Sequence, residues 1–191
     1  MSQHSIPPID ALRDFFAATG ASGLEDAAIR IARSLRLEIP VGTDWTEVEY
    51  EFNRLFVGPS AVPAPPFASA WFETDRALMG RAALEARQTY HRLGLAVPEE
   101  GVIPDDHLAY ELEAVLAMKS MLAAETAATP DPETAALHKW FVEEHLALWL
   151  PPFLQTVKEH ASGGGVVALA TDALASWFDN ERNSTAAPHR A

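Results

Sequence analysis

Between Leu108 and Leu122 the apolar residues Leu108, Leu112, Val115, Leu116 and Leu122 fall on one face of a 3.6-residue helix. Nowhere does a comparable stretch alternate with the two-residue period of a strand, and no hairpin dipeptide joins two β-rich runs. That contrast predicts an all-α chain. Ser22-Gly-Leu-Glu25 is a capping box and Asp44-Trp-Thr-Glu47 its aspartate variant, so helices are predicted over 9–19, 24–37 and 45–56. Four prolines within residues 57–66 remove amide donors and impose an extended loop. A helix over 75–93 should stop at Gly94, and the segment from Leu108 should start at Asp105 or Asp106. Asp131 followed by Pro132 caps the next helix, which should end at Pro151-Pro152. A short helix to His160, the linker Gly163-Gly-Gly165 and a last helix over 166–178 complete the pattern. Residues 180–191 are polar and aperiodic and are expected to form a disordered tail. With no internal repeat, residues 1–179 are expected to form one compact, single-domain helical bundle.

Composition narrows the function. A hydrophobic fraction of 48% supplies a core without staples, and the absence of cysteine excludes disulfides, thiol catalysis and iron–sulfur clusters. The N-terminus lacks the basic and apolar regions of a secretory signal, and no apolar stretch approaches the ~20 residues that span a bilayer. The expectation is a soluble, cytoplasmic protein with no stable membrane insertion. A formal net charge of -13 repels phosphate backbones and argues against a nucleic-acid partner.

No catalytic constellation emerges. None of the 7 histidines has an acidic residue three positions before it, so the di-iron bundle pattern is missing, as is His-Glu-x-x-His. Gly163-Gly-Gly165 lacks the lysine of a phosphate loop, and there is no Gly-x-Ser-x-Gly elbow. The expectation is therefore no cofactor, no metal and no enzyme, but a protein that binds another polypeptide. A small nucleotide- or metal-binding helical enzyme, with His107 as base or ligand, is the alternative from another class.

Two segments stand out. Phe52, Leu55 and Phe56 lie at i, i+3 and i+4 on a helix end, beside the proline loop that reaches Pro66 and Phe67. Such positions are ordinary core positions, yet an apolar helix edge next to an extended loop also builds peptide grooves. The second segment surrounds Asp106 and His107. Asp106 can cap its helix, and it can also offset the unfavourable helix dipole on a charged His107. From Leu93 to Met118 there is no Lys or Arg, whereas Glu99, Glu100, Asp105, Asp106, Glu111 and Glu113 are acidic. Such a run is a solvated face or a docking place for arginine.

With these residues the chain resembles the TorD/DmsD family of molybdoenzyme maturation chaperones, relatives of NarJ. The resemblance runs from about Leu24 to Phe178. It rests on Phe52…Leu55-Phe56-Val57-Gly58-Pro59…Pro66-Phe67 and on Pro104-Asp105-Asp106-His107-Leu108…Glu111-Leu112, with His145-Leu146-x-x-Trp149 following. Phe52 and Phe67 stand where the family often has tryptophan. The resemblance implies an all-helical fold, as a monomer or a domain-swapped dimer. It also implies binding of the twin-arginine signal peptide, and of the folded body, of a molybdopterin-dependent oxidoreductase precursor, with export delayed until the cofactor is inserted. Phe52, Leu55, Phe56, Pro66, Phe67, Asp106 and His107 would line the peptide site. Some members instead serve clients that are not exported, which is the nearest rival reading.

Overall fold

The helical period is realised along the chain. The computed structural model describes residues 8–59, 61–72, 80–96, 104–124 and 131–186. Among these it forms α1 (Ile9–Phe16), α2 (Ala21–Leu35), α3 (Trp45–Phe52), α4 (Ser69–Phe72), α5 (Arg81–Arg92), α6 (Leu108–Ala124), α7 (Pro132–Trp140), α8 (Ala147–His160) and α9 (Val166–Ala186), with π-helical turns at Asn53–Val57 and Phe141–Leu146. The chain is all-α. Among the described residues no helix is long and apolar enough to cross a membrane. Two compact units divide the chain: Met1–Pro66 with Pro151–Asn180, and Phe67–Leu150 with Glu181–Ala191.

In the first unit, Leu12, Phe15, Phe16, Leu24, Ile31, Phe153 and Trp177 are buried. Arg30 ties α2 to α1 through Asp10 and Asp14. The predicted capping box at Ser22 is not used, because α2 begins a turn earlier at Ala21, whose N–H donates to Glu49 Oε2 of α3 at 2.9 Å. Asp44 does cap α3, accepting from Thr46 N–H at 3.0 Å and Glu47 N–H at 3.4 Å. The helix predicted over 45–56 changes character at Asn53, where the π-helical turn begins. Pro59 has no N–H to give the Leu55 carbonyl, so the α-helix cannot continue there. The N–H of Ala64, in the proline loop, takes that acceptor at 3.2 Å instead.

In the second unit, Gly94 adopts φ +67° at the end of α5, the left-handed stop predicted for it. Asp131 caps α7 through the N–H groups of Glu133 and Thr134. The predicted residues of α6 divide: Leu108, Leu112 and Val115 are buried, while Leu116 and Leu122 are only half-buried. Glu111 and Met118 are buried in their place, because α6 is apolar around most of its girth. The helix break predicted at Pro151-Pro152, where the chain returns to the first unit, does not occur, and α8 carries both prolines in its interior. Buried Trp149, Leu150, Phe153 and Val157 offset the two lost donors. The last helix also outruns its predicted end, since Glu181 is buried between Lys119 and His138 and draws α9 on to Ala186.

Candidate functional site

The first highlighted segment is divided after Pro66, with Phe52, Leu55, Phe56 and Pro66 in the first unit and Phe67 in the second, where Asp106 and His107 also lie. In the first, Phe52 and Phe56 lie one helical turn apart with ring centroids 5.0 Å apart in an edge-on arrangement. Phe15 meets Phe52 at 5.7 Å, Phe16 meets Phe56 at 5.7 Å, and Phe153 meets Phe56 at 5.9 Å. Leu55 and Pro66 are buried as well. The exposed apolar side chains beside them are Tyr50 and Val57.

In the second unit Phe67 and His107 are brought together by an antiparallel bridge, with ring centroids 5.0 Å apart. Asp106 makes this closure possible. Its carbonyl accepts from Ala68 N–H at 3.1 Å, and its Oδ2 accepts from Ser69 N–H at 2.6 Å. The carboxylate therefore caps α4 rather than its own helix. His107 caps α6, its Nδ1 accepting from Ala109 N–H at 3.1 Å. That bond needs a neutral Nδ1 with the proton on Nε2, and burial accordingly lowers the His107 pKa to about 4. Asp106 is 0% exposed, and its Oδ1 has no hydrogen-bond partner among the described residues. The acidic run is thus not one solvated face. Asp105 pairs with Arg87, its carbonyl accepts from Tyr90 Oη at 2.7 Å, and Glu111 is 0% exposed; Glu99 and Glu100 lie outside the described residues.

Glu111 is the centre of a buried polar network that sequence reasoning did not single out. One oxygen lies 2.7 Å from His145 Nε2, and the other accepts from Trp149 Nε1 at 3.1 Å. Burial raises the Glu111 pKa, with Asp106 adding to the push, while His145 and Trp149 pull the other way. Burial opposes a charge on His145, but Glu111 in contact, with Glu85 and Asp106 beyond, raises its pKa. Tyr90 is raised well above its ordinary value, first by burial and then by Glu111, Asp106 and Asp105. The available signal was the spacing of His145 and Trp149, which as i and i+4 share one helical face.

The model of the family described as nitrate reductase delta subunit matches residues 13–155. The Tat proofreading chaperone DmsD of Salmonella typhi is 32% identical over 129 residues, which are 66% of this chain and 58% of that protein. The chaperone protein TorD of Aliivibrio salmonicida is 26% identical over 123 residues, 64% of this chain and 57% of that one. The chain thus spans less than two thirds of the length of these curated relatives. A solved structure assigned as a redox enzyme maturation protein of Archaeoglobus fulgidus aligns with TM-score 0.58 over 91% of both chains at 23% identity, a likeness of fold.

Proposed function

Because this chain belongs to the nitrate reductase delta subunit family, and its relatives DmsD and TorD are chaperones, we propose that it is a cytoplasmic maturation chaperone for a molybdopterin-dependent oxidoreductase. It acts by binding the twin-arginine signal peptide of the precursor, not by catalysis, and it delays export while the cofactor is inserted. The observation that carries this reading is the bridge between Phe67 and His107, which joins the two hallmark segments of the family at one place in the second unit. Here Asp106 is a positioning residue, holding the backbone of Ala68 and Ser69 so that Phe67 is presented beside His107. In the first unit Phe52, Leu55, Phe56 and Pro66 set the shape of the apolar region that receives the peptide's hydrophobic stretch.

Titration calorimetry tests the proposal with a synthetic peptide bearing two consecutive arginines and an apolar stretch. The peptide should bind, and Asp106→Ala, which removes the acceptor of Ser69 N–H, should weaken it, whereas Asp106→Asn, which still offers one, should bind close to wild type. No binding by the unmodified protein would sink the signal-peptide reading. A second reading, a client that is not exported, is favoured by the family's description as a nitrate reductase subunit. It predicts equal binding of an N-terminal peptide without paired arginines.

A further inference from the structure

In the second unit a cavity of about 300 Å3 opens between α5 and the segment running from α7 into α8, lined by Arg81, Ala82, Glu85, Trp140, Glu144, His145 and Leu148. At about 30 Å3 per water it has room for roughly ten waters, enough for one long side chain. Its walls are of three kinds. Trp140 gives a half-buried aromatic face, its ring centroid 5.9 Å from that of His145. Ala82 and Leu148 are apolar, and Leu148 stays 65% exposed at the rim. Glu85 and Glu144 bring carboxylates.

The charges in this cavity are unevenly spent. Glu85 Oε1 accepts from Arg81 Nε at 2.7 Å, while Glu85 Oε2 lies 4.0 Å from His145 Nδ1. His145 is held from behind by Glu111. Glu144 is exposed and makes no ion pair among the described residues. Arg81 is answered by Glu85, His145 by Glu111, and the Glu144 charge is left over beside an aromatic face. This combination favours a planar cation with an apolar stem. The ring attracts a guanidinium laid over it, the carboxylate accepts from its N–H groups, and Leu148 and Ala82 cover the methylenes. A lysine ammonium, compact and strongly hydrated, uses the ring and the carboxylate less well.

We infer that this cavity receives an arginine side chain of the client peptide, a role that sequence reasoning had placed at the acidic run around Asp106. The inference rests on the proposed signal-peptide reading and adds a location to it. The full chain carries the test, with calorimetry of the two-arginine peptide and of versions with lysine or alanine at both positions. Changes at the Trp140 indole, assigned by its loss in Trp140→Leu, are followed by NMR during titration with the peptide and with L-argininamide. Glu144→Gln is nearly isosteric and exposed, so it keeps the fold.

The arginine peptide should shift the Trp140 signal and bind about tenfold more weakly to Glu144→Gln. Trp140→Leu should weaken it by about threefold or more. The alanine peptide should bind wild type and both variants alike, and the lysine peptide should lie between. If the arginine peptide binds wild type and Glu144→Gln equally and leaves Trp140 unmoved, the cavity assignment is overturned while the signal-peptide reading stands. If that peptide does not bind at all, the signal-peptide reading falls and takes the client's arginine with it. L-argininamide then separates the two: a shift at Trp140 that Glu144→Gln abolishes keeps the cavity as a guanidinium site, and no shift removes it.

Discussion

The aromatic cluster of the first unit and the polar network of the second are equally buried and are held by opposite kinds of force. Phe15, Phe16, Phe52, Phe56 and Phe153 cohere through burial and dispersion, which depend on volume and little on direction. Glu111, His145 and Trp149 cohere through directed hydrogen bonds, as Asp106 does with Ser69, and these depend on donor meeting acceptor. A substitution that keeps volume should therefore be tolerated in the cluster and not in the network. This difference bears on function, because the cluster needs only to persist whereas the network sets a charge pattern beside the cavity.

The largest effect is expected where volume is removed from the cluster. Phe56→Ala should destabilise by about 3–5 kcal/mol, the range for a buried phenylalanine truncated to alanine. Phe56→Leu should cost less than about 1.5 kcal/mol, because neighbouring rings can repack around a side chain of similar bulk. Urea unfolding of both variants measures the pair. Equal losses would show that ring geometry, not volume, holds this region together.

What could be read from the sequence follows the range of the interactions. Asp44, Asp131 and Gly94 act on residues within one turn, and each did what local rules require of it. The helical period of α6 was legible for the same reason, although a nearly continuous apolar girth hid which face is buried. The illegible features have partners far away along the chain. Glu49 caps Ala21 across 28 residues, Asp106 caps Ser69 across 37, and Lys119 pairs with Glu181 across 62. Ser22, Asp106 and the end of α9 were misplaced because a distant partner displaced the local one. In the candidate site the positions Phe67 and His107 were legible as a pair of motifs. The pairing of Glu111 with His145, 34 residues apart, was not.

An intermediate effect is expected in the network. Glu111→Leu keeps roughly the volume but takes away the oxygen that accepts from Trp149 Nε1–H and the carboxylate in contact with His145 Nε2. The cost should be about 2–3 kcal/mol, set by the desolvated groups left behind. Glu111→Gln should cost less, since its carbonyl can still accept from Trp149. If Glu111→Leu is as mild as Phe56→Leu, the two regions do not differ in the way described.

The smallest effect separates the regions by pH. In the folded protein His107 is neutral, with its pKa lowered by burial to about 4, against 6.5 for an ordinary histidine. The unfolded chain therefore binds a proton that the folded one refuses, between these two values. The stability contributed by neutral His107 is fully present above pH ~6.5 and is lost as pH falls toward 4. His145 has the opposite sign: its pKa is raised in the fold, so its contribution is present below 6.5 and is lost as pH rises through the folded value. The second unit should consequently weaken on both sides. Phe52 and Phe56 carry no titrating group and are indifferent to either change. Between pH 7 and pH 5 the loss due to His107 should be at most about 2 kcal/mol. Amide hydrogen exchange in α6, compared with exchange in α3, reads it locally. His107→Asn provides the control, because the asparagine oxygen can replace Nδ1 as acceptor for Ala109 N–H but does not titrate. That variant should hold its α6 protection between pH 7 and pH 5 while wild type loses some. An equal loss in both proteins would mean that another group drives the acid sensitivity and that His107 is not held neutral by burial.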